Sequence, residues 1–205
     1  MSGSIFNIEI NGIDGSADVL GQLRGKVVLI TNIASKAGYE PRCSKVWSYA
    51  RTARQLWELQ QLHEMFSDRG FSVVGVPCNQ FHQMEPLENQ EVKQFIEKAY
   101  PFVTFPITEK INVNGDAEHP LFSALKGSER RRSDDNRAND GQLAVEGQNK
   151  AGQALARVPS NYEKFIIGRR GEQVFRFRFT NWPLANESLT MESDLTIKAA
   201  IESIL

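Results

Sequence analysis

Thiols are scarce in this chain: Cys43 and Cys78 are the two cysteines among 205 residues. Two do not make a disulfide framework, and a reducing compartment, intracellular and cytoplasmic by default, is the expected home. No CxxC or HxxxH ligand pair occurs, and His63, His82 and His119 are spread along the chain, so no metal site is expected. No cofactor motif stands out either. Charge of one sign is not in excess: the net charge is −1, which removes a global field toward nucleic acid or anionic membrane. No apolar run approaches the about 20 residues a membrane helix needs, so no transmembrane segment is expected. The opening MSGSIFNIEI has no basic stretch followed by an apolar one and no Arg-rich amphipathic character, so it reads neither as a secretory leader nor as a transit peptide. A presequence removed ahead of Met1 would leave an organelle as the alternative location.

What is present suits one domain spanning 1–205, with 40% apolar and 24% charged residues. Residues 5–20 alternate around Asn11-Gly12, a β-hairpin signal. Val27 to Ile33 is a near-continuous apolar run, the pattern of a strand buried on both faces. Leu56, Leu59, Leu62, Met65 and Phe66 recur at helical spacing over 53–66, and Arg69-Gly70 ends that helix. Phe71 to Val76 is a second buried strand. Glu88 to Ala99 reads as a second helix, and His119-Pro120 opens a short one through Leu125. Phe165–Ile167 and Val174–Phe179 read as strands around an Arg170-Gly171 turn, and Thr190–Leu205 as an amphipathic helix. Strands alternating with helices imply an α/β layer fold with a mixed sheet.

Residues 127–157 break the pattern. They are polar, Gly-rich and nearly free of large apolar side chains, and cannot bury enough surface to order themselves alone. The segment reads as a solvated loop, or as one that orders against a partner. Arg130, Arg131 and Arg132 stand beside Asp134 and Asp135, which partly neutralise them, so the run is not a nucleic-acid patch.

Two segments carry a family resemblance: KVVLITNIASKAG at 26–38 and VGVPCNQFHQMEP at 74–86. With Phe105-Pro106, Glu109-Lys110-Ile111, Val113-Asn114-Gly115-Asp116, His119-Pro120-Leu121 and Asn161-Tyr162-Glu163-Lys164-Phe165, the chain resembles the glutathione peroxidase family over most of its length. The resemblance implies a thioredoxin-like fold: a mixed sheet flanked by helices, with an N-terminal β-hairpin. Relative to that pattern, about 40–51 and 127–157 are inserted segments.

The resemblance also implies a catalytic tetrad, and three of its four positions depart from it. The family's cysteine or selenocysteine, at the start of a helix where the dipole favours the anion, falls on Ala37, whose methyl cannot attack a peroxide. The family's glutamine falls on Met84, a weak acceptor and no donor. Its tryptophan falls on Ser160, and only Asn161 keeps the pattern. His82 occupies a place where the family usually has glycine. The helix at 88–99 carries no resolving cysteine.

The expected function is therefore that of a pseudoenzyme: a glutathione peroxidase homologue retained as a binding or structural subunit of a larger assembly. Trp47, Tyr49 and Arg51, together with 127–157, are the candidate contacts to a protein partner, because aromatics and arginine are enriched at interfaces. Two alternatives stand beside it. One is a thiol peroxidase with a relocated nucleophile, Cys43 between Arg42 and Lys45, or Cys78, which otherwise reads as a structural thiol after a buried strand. The other is an active peroxidase whose nucleophile has been replaced by Ala37. Trp182, after the last strand, is expected to cap the sheet edge.

Overall fold

The computed structural model describes residues 4–37, 46–127, 145–148, 154–184 and 196–205. Its centre is β1, Val27–Ile33, every residue of which is buried. The run VVLITNI has no charge to place in water, so it takes the middle of a sheet. β2, Phe71–Pro77, lies parallel to it in register Val27↔Phe71 through Ile33↔Pro77. On the other edge β5, Lys164–Ile167, runs antiparallel to β1, and β6, Gln173–Phe177, antiparallel to β5. The sheet order is β2-β1-β5-β6.

Period-two alternation sorts β1 into two cores. Val27, Leu29 and Ile33 face one cluster with Leu56, Leu59 and Leu62 of α1 (Val46–Phe66), Val92 and Ile96 of α2 (Asn89–Ala99), and Ile197, Ala200 and Ile201 of α4 (Ile197–Glu202). Val28 and Ile30 face the other, with Leu121, Phe122 and Leu125 of α3 (Pro120–Gly127) and with Ile5, Phe6, Leu20 and Leu23. The three leucines of α1 are fully buried, each contributing about 2 kcal/mol of transfer free energy. The result is the thioredoxin-like α/β sandwich, a mixed sheet between two helical layers.

Local signals explain the element ends. α1 passes into a tight turn, Ser67–Arg69, and Gly70 reverses the chain at φ +82°, a conformation that costs a side-chain-bearing residue more. α2 opens with a capping box in which Glu88 N–H donates to the Glu91 carboxylate at 3.0 Å. Thr196 caps α4, its hydroxyl accepting from Ala199 N–H at 3.1 Å.

The fold corrects several expectations. Residues 5–20 fold back on themselves, with Val19 N–H donating to Ile10 O at 2.9 Å and Gly12 N–H to Ser16 O at 2.7 Å, but they do not form a two-stranded hairpin. Apolar side chains there pack as a loop against α3, and Gly12 pairs with Thr108 instead. α1 starts at Val46, so the second half of the expected 40–51 insertion is helix. The described C-terminal helix begins after its Thr196 cap, and residues 190–195 of the expected helix lie outside the described residues. Within 127–157, β3 (Val145–Gln148) and β4 (Ala154–Ala156) pair antiparallel as a small separate sheet, so part of this segment forms backbone pairs. Among the described residues no helix is long and apolar enough to cross a membrane, and no group of three metal-ligating side chains forms.

Candidate functional site

The C-terminal end of β1 runs into a turn, Ala34 to Ala37, closed by Ala37 N–H donating to Ala34 O at 3.3 Å. Side chains from four distant elements hold it. Tyr162 OH donates to Ala34 O at 3.2 Å and Tyr100 OH to Ser35 O at 2.9 Å. Glu85 accepts from both the N–H and the hydroxyl of Ser35. From α1, Thr52 Oγ1 donates to Ala37 O at 3.1 Å. Burial is the largest influence on the Glu85 carboxyl and on the Tyr162 phenol, and pushes both above their ordinary values.

The loop after β2 forms a second side of the site. Cys78 N–H donates to Ile33 O at 3.0 Å, joining the two strand ends. Gln80 ties the loop to the 113–114 turn, accepting from Val113 N–H at 2.8 Å and Asn114 N–H at 2.9 Å. Phe81 O accepts from Met84 N–H at 3.2 Å, and the two residues spanned, His82 and Gln83, both take φ +53°. The third side is the approach to β5. Buried Asn32 of β1 binds it three ways: Asn32 Nδ2 donates to Ser160 O at 2.9 Å, Asn32 Oδ1 accepts from Glu163 N–H at 3.1 Å, and Asn32 O accepts from Tyr162 N–H at 2.7 Å. Beneath it Lys164 is fully buried, its Nζ donating to Tyr162 O at 2.9 Å, and desolvation draws it down to about 7.

These three sides enclose an open pocket of about 670 Å³. Ala37, Met84, Ser160 and Asn161, far apart in sequence, all line it. So does Arg51, exposed at the rim. Cys78 does not: it is fully buried in the second core, and desolvation pushes its thiol up, away from the thiolate a nucleophile needs. Cys43 lies outside the described residues, as do the side chains of Trp47 and Tyr49. Residues 38–45 lie outside the described residues, and with them the helix start expected after position 37; the described helix begins at Val46.

The pocket contains residues that the sequence did not single out. Thr52 and Gln55 of α1 line it, and Phe179, Thr180 and Trp182 after β6 form its far wall. Trp182 is therefore a pocket residue rather than a cap on the sheet edge; the Arg54 guanidinium lies 4.4 Å from its ring centroid. Gln55 Nε2 donates to Phe179 O at 3.1 Å, and Glu58 accepts from Leu184 N–H at 3.0 Å. One signal was available: Thr52 and Gln55 are polar residues on the same helical face as Leu56 and Leu59, so they point inward with no apolar reason to do so.

A family model described as glutathione peroxidase matches residues 5–126, ending where the polar segment begins. The chain is 35% identical over 170 residues to the glutathione peroxidase-like peroxiredoxin gpx1 of Schizosaccharomyces pombe, covering 83% of this chain and 85% of that protein. It is 37% identical over 174 residues to the hydroperoxy fatty acid reductase gpx1 of Synechocystis sp., covering 85% and 86%. Among solved structures, Trgpx in its apo form superposes with a TM-score of 0.55 at 31% identity, covering 88% of each chain. The structure of T. cruzi GPX1 shares the fold at 23% identity, with a TM-score of 0.54 over 98% of this chain and 94% of that one. With the family model spanning more than half of its length, relatives above 30% identity across most of theirs and the same fold around the pocket, this chain belongs to the glutathione peroxidase family.

Proposed function

We propose that this chain is a family member that does not reduce hydroperoxides at position 37 and serves as a binding or structural subunit of a larger assembly. The observation that carries the reading is Ala37, a methyl group on the pocket wall where a peroxidatic sulfur or selenium would have to stand. Met84 and Ser160 line the same pocket and offer neither the carboxamide nor the indole donor of the family pattern. Function belongs to the site and not to the fold. Trp47, Tyr49, Arg51 and the 127–157 segment belong to the same proposal as the surface toward a protein partner. A cytoplasmic location remains part of it.

Hydrogen peroxide consumption by the reduced protein, followed by stopped flow, tests this reading. Cys43→Ser, Cys78→Ser and Ala37→Cys are measured alongside. The expected result is a rate no faster than that of a free thiol for the wild type and both serine variants. Ala37→Cys is expected to stay slow as well, because the anion it introduces would lack two of the family's positioned donors, absent at Met84 and Ser160, each worth about 10²-fold in comparable sites. A fast reaction lost in one serine variant overturns the proposal in favour of a relocated nucleophile. A fast Ala37→Cys enzyme overturns it in favour of a peroxidase whose nucleophile has been replaced.

A further inference from the structure

The pocket beside Ala37 is walled largely by apolar groups, Phe81, Met84, Phe179 and Trp182 among them, and its volume of about 670 Å³ is that of a small-molecule site. Four of its polar side chains are turned to the protein's own backbone. The Thr52 hydroxyl donates to Ala37 O at 3.1 Å and Gln55 Nε2 to Phe179 O at 3.1 Å. The Ser160 hydroxyl donates to Asn161 O at 3.3 Å and the Tyr162 hydroxyl to Ala34 O at 3.2 Å. All four donors are spent on backbone carbonyls.

Two acceptors on residues of the same lining, lying just behind its surface, are not spent. Gln55 Oε1 and Asn161 Oδ1 are shielded from water and have no hydrogen-bond partner among the described residues. Gln55 itself is 4% exposed. A buried acceptor without a partner is a cost that the fold carries until a donor arrives. Such an acceptor also favours binding, because its water is already gone. The terminal torsions of Gln and Asn are soft, so a modest turn brings either oxygen to a seated donor.

We propose that this pocket binds a small apolar molecule bearing a neutral hydrogen-bond donor, a hydroxyl or an amide N–H, which Gln55 and Asn161 receive. Charge is selected against in both directions. An ammonium would pass the Arg51 cation at the rim and be desolvated among apolar walls. A carboxylate drawn by Arg51 would face the two oxygens as acceptor against acceptor. The proposal rests on the reading that the site at Ala37 is not peroxidatic, since it assigns the pocket to retention of a ligand rather than to its reduction.

The test is a titration of the full chain with phenol and with its methyl ether anisole, read from the backbone and side-chain amide NMR signals of Ala37, Gln55 and Asn161. Anisole keeps the ring and loses the donor. Phenol is expected to bind about tenfold more tightly, the value of one to two hydrogen bonds to desolvated acceptors. Gln55→Met and, separately, Asn161→Leu should each bring phenol toward the affinity of anisole while leaving anisole unchanged. Equal affinity for the two probes, no shift of pocket signals by either up to its solubility limit, or phenol binding unaffected by both substitutions overturns the proposal. Peroxide consumption is a separate readout: a fast rate removes the non-peroxidatic reading, whereas the phenol-to-anisole ratio reports on the two acceptors alone.

Discussion

Glu85 and Ser35, fifty residues apart in sequence, meet at the end of β1 through two hydrogen bonds, one from the Ser35 N–H and one from its hydroxyl at 3.0 Å. Both residues are fully buried, so the pair fixes the turn that presents Ala37 and has no water to fall back on. Glu85→Leu removes both acceptor oxygens and leaves the Ser35 groups unsatisfied. It is expected to cost about 2–4 kcal/mol in urea unfolding, against about 1 kcal/mol for Glu85→Gln, which keeps one oxygen. Equal losses in the two variants would mean that packing and not hydrogen bonding makes the contact.

His63 supplies a pH dependence. On α1 it is partly buried, its Nδ1 accepting from Val73 N–H at 3.2 Å, and desolvation, the largest influence, lowers its pKa from the ordinary 6.5. A histidine whose pKa is lower in the folded state holds fewer protons there than in the unfolded chain. Its contribution is therefore fully present above about pH 6.5 and is lost as pH falls through the folded value. His63→Gln should be less stable than wild type near pH 7.5 by about 1 kcal/mol, and the gap should narrow toward pH 5. A gap constant over that range would show that His63 does not titrate in the folded protein.

His82 sits at φ +53°, the left-handed region, in the loop between Phe81 and Met84. The side chain is exposed, so nothing but backbone strain is at stake. His82→Gly relieves that strain while adding freedom to the unfolded chain, and the balance is expected to stabilise by about 0.5–1 kcal/mol. A lower midpoint of thermal unfolding in the variant would mean that the imidazole makes a compensating contact.

Much of the fold was legible because its signals are local or dense. The run Val27–Ile33 is too apolar for anything but a central strand, the leucine spacing of α1 admits one face, and Gly70 ends its element through a backbone requirement that glycine meets. The ordered motifs around Asn79-Gln80-Phe81 and Asn161-Tyr162 led to the family, and the four positions that the resemblance names, Ala37, Met84, Ser160 and Asn161, line one pocket. The hairpin over 5–20 was misread because its alternation is satisfied by packing on α3 rather than by strand partners.

The sequence by itself determined the succession of strands and helices and the alanine at position 37, since both depend on residue type and on spacing along the chain. Tertiary structure alone decided the membership of the pocket. Gln55 meets Phe179 across 124 residues, Asn32 meets Ser160 across 128, and Trp182 turns from the sheet edge to lie beside Arg54. Contacts closed over such distances depend on how β1, α1 and β6 are stacked, and no periodicity within any one of them encodes that arrangement.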